Sequence, residues 1–149
     1  MKKISTLLGL GLLLASNVHA TDQSFNLTLK LYKPITITKI QDLLFPDTTL
    51  TGSAFDITVA TTGSGAATFN AQGGKNRNIT KSIVESSINM SAPGVTGSIA
   101  VNTFAISGPT AFDSSGNANG LKVGAVAHVL AASEDGNYTG TATFRVVYQ

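Results

Sequence analysis

Apolar residues in this chain recur at every second position, and no segment keeps a 3.6-residue apolar period with good caps over three turns. A spacing of two is that of a strand with one buried face. "SFNLTLKLY", residues 24–32, sets Phe25, Leu27, Leu29 and Leu31 on one side and Asn26, Thr28 and Lys30 on the other. The pattern returns in "ITITKI" (35–40), "AFDITVA" (54–60) and "AATFNA" (66–71), and strands are expected at 79–85 and 87–91. "SIAVNTFAIS" (98–107) changes phase between Val101 and Phe104, which predicts a bulge. "LKVGAVAHVLAA" (121–132) aligns Leu121, Val123, Ala125, Ala127 and Val129. "GNYTGTATFRVVYQ" (136–149) aligns Tyr138, Ala142, Phe144, Val146 and Tyr148 as one apolar face. Turn clusters such as "TTGSG", "QGGKNRN" and "SEDGN" separate the runs, and residues 108–120 read as a long polar loop. Many short alternating strands between turns predict an all-β antiparallel sandwich or barrel.

The first twenty residues read differently. "MKK" is a basic start, "ISTLLGLGLLLASNV" is apolar but too short to span a bilayer, and "VHA" is a small-x-small cleavage signal ending at Ala20. Residues 1–20 are thus expected to be a secretory signal peptide. Its removal takes Lys2 and Lys3 from the ten basic residues and leaves eight against eight acids. The remaining basic residues sit singly, which argues against nucleic acid as a partner. Cysteine is absent, so stability is expected from packing and strand pairing rather than from disulfides.

Catalytic constellations are hard to find. His19 lies in the signal segment, so His128 is the one histidine downstream, on the strand face opposite Val123, Ala125, Ala127 and Val129. A lone histidine in a strand reads as a half-exposed structural residue. No cluster has metal-ligand spacing, and no cysteine or second histidine is at hand to build a nucleophilic pair. The "GSG" and "GG" turns precede no helix and do not read as phosphate loops. The Asn-x-Ser/Thr matches at Asn26, Asn78, Asn89 and Asn137 read as chance in a Thr-rich chain. The expectation is a non-enzyme without metal or cofactor.

Four stretches carry a resemblance: "KPITITKIQDLLF", "AATFNAQG", "GLKVGAVAHV" and "GNYTGTATFRVVYQ". From about Lys33 onward the chain resembles uncharacterised secreted bacterial β-sandwich domains related to pilus and spore-coat-type subunits. It departs from their pattern after Phe45, where Pro46-Asp47 stands in place of a glycine. A more distant similarity is to the subunits of chaperone–usher pili, nearest their cysteine-free branches. That resemblance implies an immunoglobulin-like antiparallel β-sandwich that is incomplete and is completed by a donor strand from a neighbouring copy. It implies export through the periplasm of a Gram-negative bacterium and assembly into a cell-surface fibre. It further implies a periplasmic chaperone, an outer-membrane usher, other fibre subunits and a host receptor for adhesion as partners. Residues 21–33 then form an N-terminal extension with Phe25, Leu27, Leu29 and Leu31 as the donor set. Residues 34–149 form the sandwich, in which Tyr138, Ala142, Phe144, Val146 and Tyr148 border the acceptor groove.

Two other readings share these residues. In one, 24–32 pairs within its own chain as the first strand of a self-contained monomer. In the other, the domain is a carbohydrate-binding surface module whose loop 108–120 offers Asp113 and nearby asparagines to sugar hydroxyls.

Overall fold

A computed structural model describes residues 21–149. The expected signal peptide, 1–20, lies outside the described residues. Contacts divide the chain at Lys30, with the folded unit running from Leu31 to Gln149. Residues 21–30 form no strand. Eight strands follow: β1 (Thr36–Gln41), β2 (Phe55–Val59), β3 (Ala67–Gln72), β4 (Ile79–Ile83), β5 (Ile88–Ser91), β6 (Ser98–Ser107), β7 (Asn117–Val129) and β8 (Phe144–Tyr148). No helix occurs among the described residues.

The large sheet is built around β7. Strands β3 and β2 pair with it one after the other along the same edge, β3 opposite Asn117–Val123 and β2 opposite Ala125–Val129. Between them stands Gly124, where an added Cβ would overlap the carbonyl oxygen of Val59. Only glycine lets the backbone of β2 depart this closely. On the other edge β6 pairs with β7, and β1 and β5 flank the sheet in the order β1-β3-β7-β6-β5. The bulge expected in β6 is present: register shifts between Asn102 and Ala105, and Thr103 takes a φ of 53°. A β-branched residue in the left-handed region is rare and marks local strain.

Among the described residues, a second, antiparallel sheet contains only β4 and β8. Constant-type immunoglobulin sandwiches place strands A, B, E and D in one sheet and C, F and G in the other. Here β1, β3, β7 and β6 follow the A-B-E-D order, and β4 and β8 occupy C and F. The fold is an all-β antiparallel sandwich, and among the described residues no strand occupies position G.

The short second sheet covers one half of the large one. There Ala71, Ile79, Phe112, Ala118, Leu121 and Val146 form a buried cluster, with Phe69, Phe144 and Tyr148 packed against it. The other half of the core gathers around Val101, Ala125, Ala127 and Val129. Its cover consists of half-buried side chains, among them Leu43, Phe45, Phe104 and Tyr138.

Candidate functional site

The uneven cover leaves an open groove, and the last segment of the chain explains its position. Alternation predicts one strand face from Tyr138 to Tyr148, but pairing with β4 begins only at Phe144. Thr139 exchanges two backbone hydrogen bonds of 2.9 Å with Ser91, at the end of β5 in the large sheet. Four residues later Thr143 accepts a bond from Val84 N–H, just past β4. Residues 139–143 therefore cross from one sheet to the other and cannot be a strand of either. The carboxylate of Glu85 fixes the landing point: Oε2 accepts from Thr143 N–H at 2.7 Å and Oε1 from its hydroxyl at 2.8 Å. These two bonds hold the Glu85 carboxyl below its ordinary pKa, the backbone bond contributing most.

Tyr138, Ala142, Phe144, Val146 and Tyr148 are thus split. Tyr138 packs in the cluster around Val129, and its hydroxyl donates to the carbonyl of Glu134 at 3.0 Å. Ala142 is exposed on the crossing segment. Phe144 stacks on Phe69 with centroids 4.6 Å apart, Val146 is buried, and Tyr148 meets Phe112 edge-on at 5.9 Å.

The crossing segment roofs a cavity of about 420 Å³. Lys39 and Asp42 border it on the β1 side, Thr141–Phe144 on the other, and Phe69, Val101 and Phe104 form its floor. A second space of about 540 Å³ shares Phe45 and Met90 with the first and reaches Phe55, Val129 and Tyr138. Leu44 N–H donates to the Gly65 carbonyl at 2.8 Å, which turns the neighbouring Leu43 and Phe45 inward over the floor.

The outer edge of β8 carries the chemistry of this site. Bonds from Val84 N–H to Thr143 and from Gln149 N–H to Asn78 put the odd-numbered residues of β8 in hydrogen-bonded pairs with β4. In an antiparallel ladder the peptide groups of intervening residues point the opposite way. The N–H and C=O groups of Phe144, Val146 and Tyr148 therefore face away from β4, and no strand receives them among the described residues. An edge of this kind is a template for another strand.

The alternating set at the N-terminus also pairs with no strand among the described residues. Phe25, Leu27, Leu29 and Leu31 are 79, 87, 80 and 79% exposed. Residues 24–32, which alternate as a strand would, form none. Large apolar side chains exposed together are uncommon on the surface of a soluble monomer.

The other sequence candidates have structural roles. His128 Nδ1 lies 2.7 Å from Asp56 Oδ1 on β2, and Nε2 lies 2.8 Å from Asn102 Oδ1 on β6. The ring ties three strands on an exposed face, as a half-exposed structural histidine does. Loop 108–120 is shorter than its composition suggests, because β7 starts at Asn117 and Phe112 plugs the core. Asp113 Oδ1 accepts from Asn117 N–H at 2.9 Å and Ser115 N–H at 2.8 Å. These backbone bonds hold its carboxyl below the ordinary value. That carboxylate caps a turn. No group of three or more metal-ligating side chains gathers among the described residues.

Fold and groove together define an antiparallel sandwich with one strand position open. The chain belongs to the DUF4402 family, a domain of unknown function, whose model matches residues 35–148. The exposed segment from Phe25 to Leu31 precedes the matched region. No curated protein and no solved structure matches the chain.

Proposed function

We propose that this protein is a structural subunit of a bacterial surface fibre, exported and then polymerised by N-terminal strand exchange. One observation carries the reading: the open peptide edge of Phe144, Val146 and Tyr148 stands in the same chain as a segment with four exposed, alternating apolar side chains. In a polymer, residues 24–31 of one copy lie along β8 of the next and place Phe25, Leu27, Leu29 and Leu31 over the apolar floor.

Magnitudes show why both features are needed. Burying four large apolar side chains stabilises by about 6–12 kcal/mol. Ordering eight backbone residues costs about 8–16 kcal/mol. Side-chain burial alone falls short. Ladder bonds at about 1 kcal/mol each, made to a free edge, tip the result toward binding. An exported subunit with this edge uncovered is prone to aggregate, so the reading includes an assembly chaperone that covers it first.

The test is deletion of residues 21–32 in cells that make the full chain with its export partners. Loss of fibres with retention of folded subunit supports strand exchange. Fibres of normal yield from the deleted chain would falsify it.

A further inference from the structure

The two ends of the sandwich differ in charge. At one end, Lys33 precedes β1, and Lys75 and Arg77 lie in the β3–β4 loop. These three cations line a cavity of about 340 Å³ together with Tyr32, Gly74 and Ser115. Arg77 sits over the Tyr32 ring, 5.2 Å from its centroid. The nearby carboxylate of Asp113 is occupied by backbone amides. At the other end, Asp47, Glu134 and Asp135 line the 540 Å³ space, and no Lys or Arg joins them there. All six charged residues are exposed, and none is in an ion pair among the described residues. Strand β7 fixes the separation, since Ser115 precedes its first residue and Glu134 follows its last. Thirteen residues of strand span up to about 40 Å.

We propose that copies of this chain stack end to end, the basic end of one on the acidic end of the next. The partner is a second copy, and the junction is held and oriented by Lys33, Lys75 and Arg77 against Asp47, Glu134 and Asp135. The inference rests on the strand-exchange reading and adds its polarity. A contact between unlike ends of one molecule is heterologous, and when its rotation does not close a ring it propagates as a filament. Unlike charge across the junction favours this order, and like ends repel. The course of β8 agrees. It runs toward the basic end, where Tyr148 contacts Gly74 and Lys33. A donor strand antiparallel to β8 therefore leaves the groove toward the acidic end. Its next residues include Lys33 of the donor, which brings that copy's basic end onto the acidic end of the acceptor.

Charge exchange tests the junction. Full-length chains carrying Lys33→Glu/Lys75→Glu, Glu134→Lys/Asp135→Lys, or all four changes are expressed with the export partners, beside the unaltered chain and the 21–32 deletion. Sheared fibres are quantified as multimers between about 0.05 and 0.5 M NaCl, and folding is checked by thermal melting of released subunits. Each pair of reversals is expected to lower multimer yield about tenfold at the lower salt, and all four together to restore it to within about twofold. The yield of the unaltered chain should fall as salt rises. Folded pair variants that assemble like the unaltered chain overturn the junction, and so does a fourfold variant no better than either pair. If these outcomes accompany loss of multimers in the deleted chain, strand exchange stands and the charged junction alone falls. Absence of multimers from the unaltered chain overturns both.

Discussion

The hydroxyl of Tyr148 donates to the carbonyl of Lys33 at 2.5 Å and accepts from Gly74 N–H at 2.7 Å. One side chain at the end of β8 thereby ties the lead-in to β1 to the β3–β4 loop. Its ring also lies 5.2 Å from that of Tyr32. The aromatic residue next to the end of the chain is a clamp as well as part of the core.

Tyr148→Phe keeps the ring and removes both bonds. It should lower unfolding free energy by about 1–3 kcal/mol, and Tyr148→Ser, which also empties the ring site, by about 3–5 kcal/mol. Urea unfolding of the two variants gives the comparison. Equal losses would mean that the hydroxyl contributes nothing.

Glu85 should make the start of β8 sensitive to acid. Its carboxyl pKa is lowered from the ordinary 4.5, mainly by the Thr143 N–H bond and then by the Thr143 hydroxyl. A depressed carboxylate contributes stability that is present above its unfolded value and lost as pH falls through the folded one. The unaltered chain should therefore exceed Glu85→Gln in urea midpoint at neutral pH, and the gap should close progressively below pH 4.5. A gap independent of pH would show that the charge is not the source.

Gly124→Ala forces a methyl group into the Val59 carbonyl where β2 leaves β7. The expected cost is about 1–3 kcal/mol, the range for overpacking a site that cannot relax. Thermal melting reads it directly, and hydrogen exchange should show the extra opening at Val59 and Ala125. A variant as stable as the parent would mean that the β2–β3 junction yields easily.

Leu27→Ser/Leu29→Ser separates stability from assembly. Both side chains are exposed, so the melting of an isolated subunit should move by less than about 0.5 kcal/mol equivalent. Assembly should lose the burial of both, at about 2–5 kcal/mol each for such truncations, and multimers should disappear. A destabilised monomer with intact multimers would place this segment in its own fold.

Much of the sandwich is legible in the spacing of its side chains. β1, β2, β3 and the long run of β7 fall where alternation puts them, and the phase change between Val101 and Phe104 marks the bulge at Thr103. The crossing at 139–143 is not legible. Thr139 is held by Ser91 and Thr143 by Glu85, partners 48 and 58 residues away, and nothing local distinguishes their run from a strand. Phe112 is missed for a similar reason, because a single buried aromatic in a polar loop has no period. The segment 24–32 shows the limit of pattern itself: alternation states that one face seeks burial and is silent on which chain provides it. The charged ends emerge only once the strands are ordered, since Lys33, Lys75 and Arg77 are dispersed in sequence.

The place of β7 in the large sheet has a kinetic consequence. Strands β2, β3 and β6 all pair with it, β1 reaches the sheet only through β3, and β5 only through β6. The pairs β1–β3 and β5–β6 can form by themselves, but they and β2 cannot join into one sheet before residues 117–129 arrive. Contacts of such long sequence separation slow folding. Until then the early strands stand as separate pairs, and the strand that joins them is the last of the large sheet to be made.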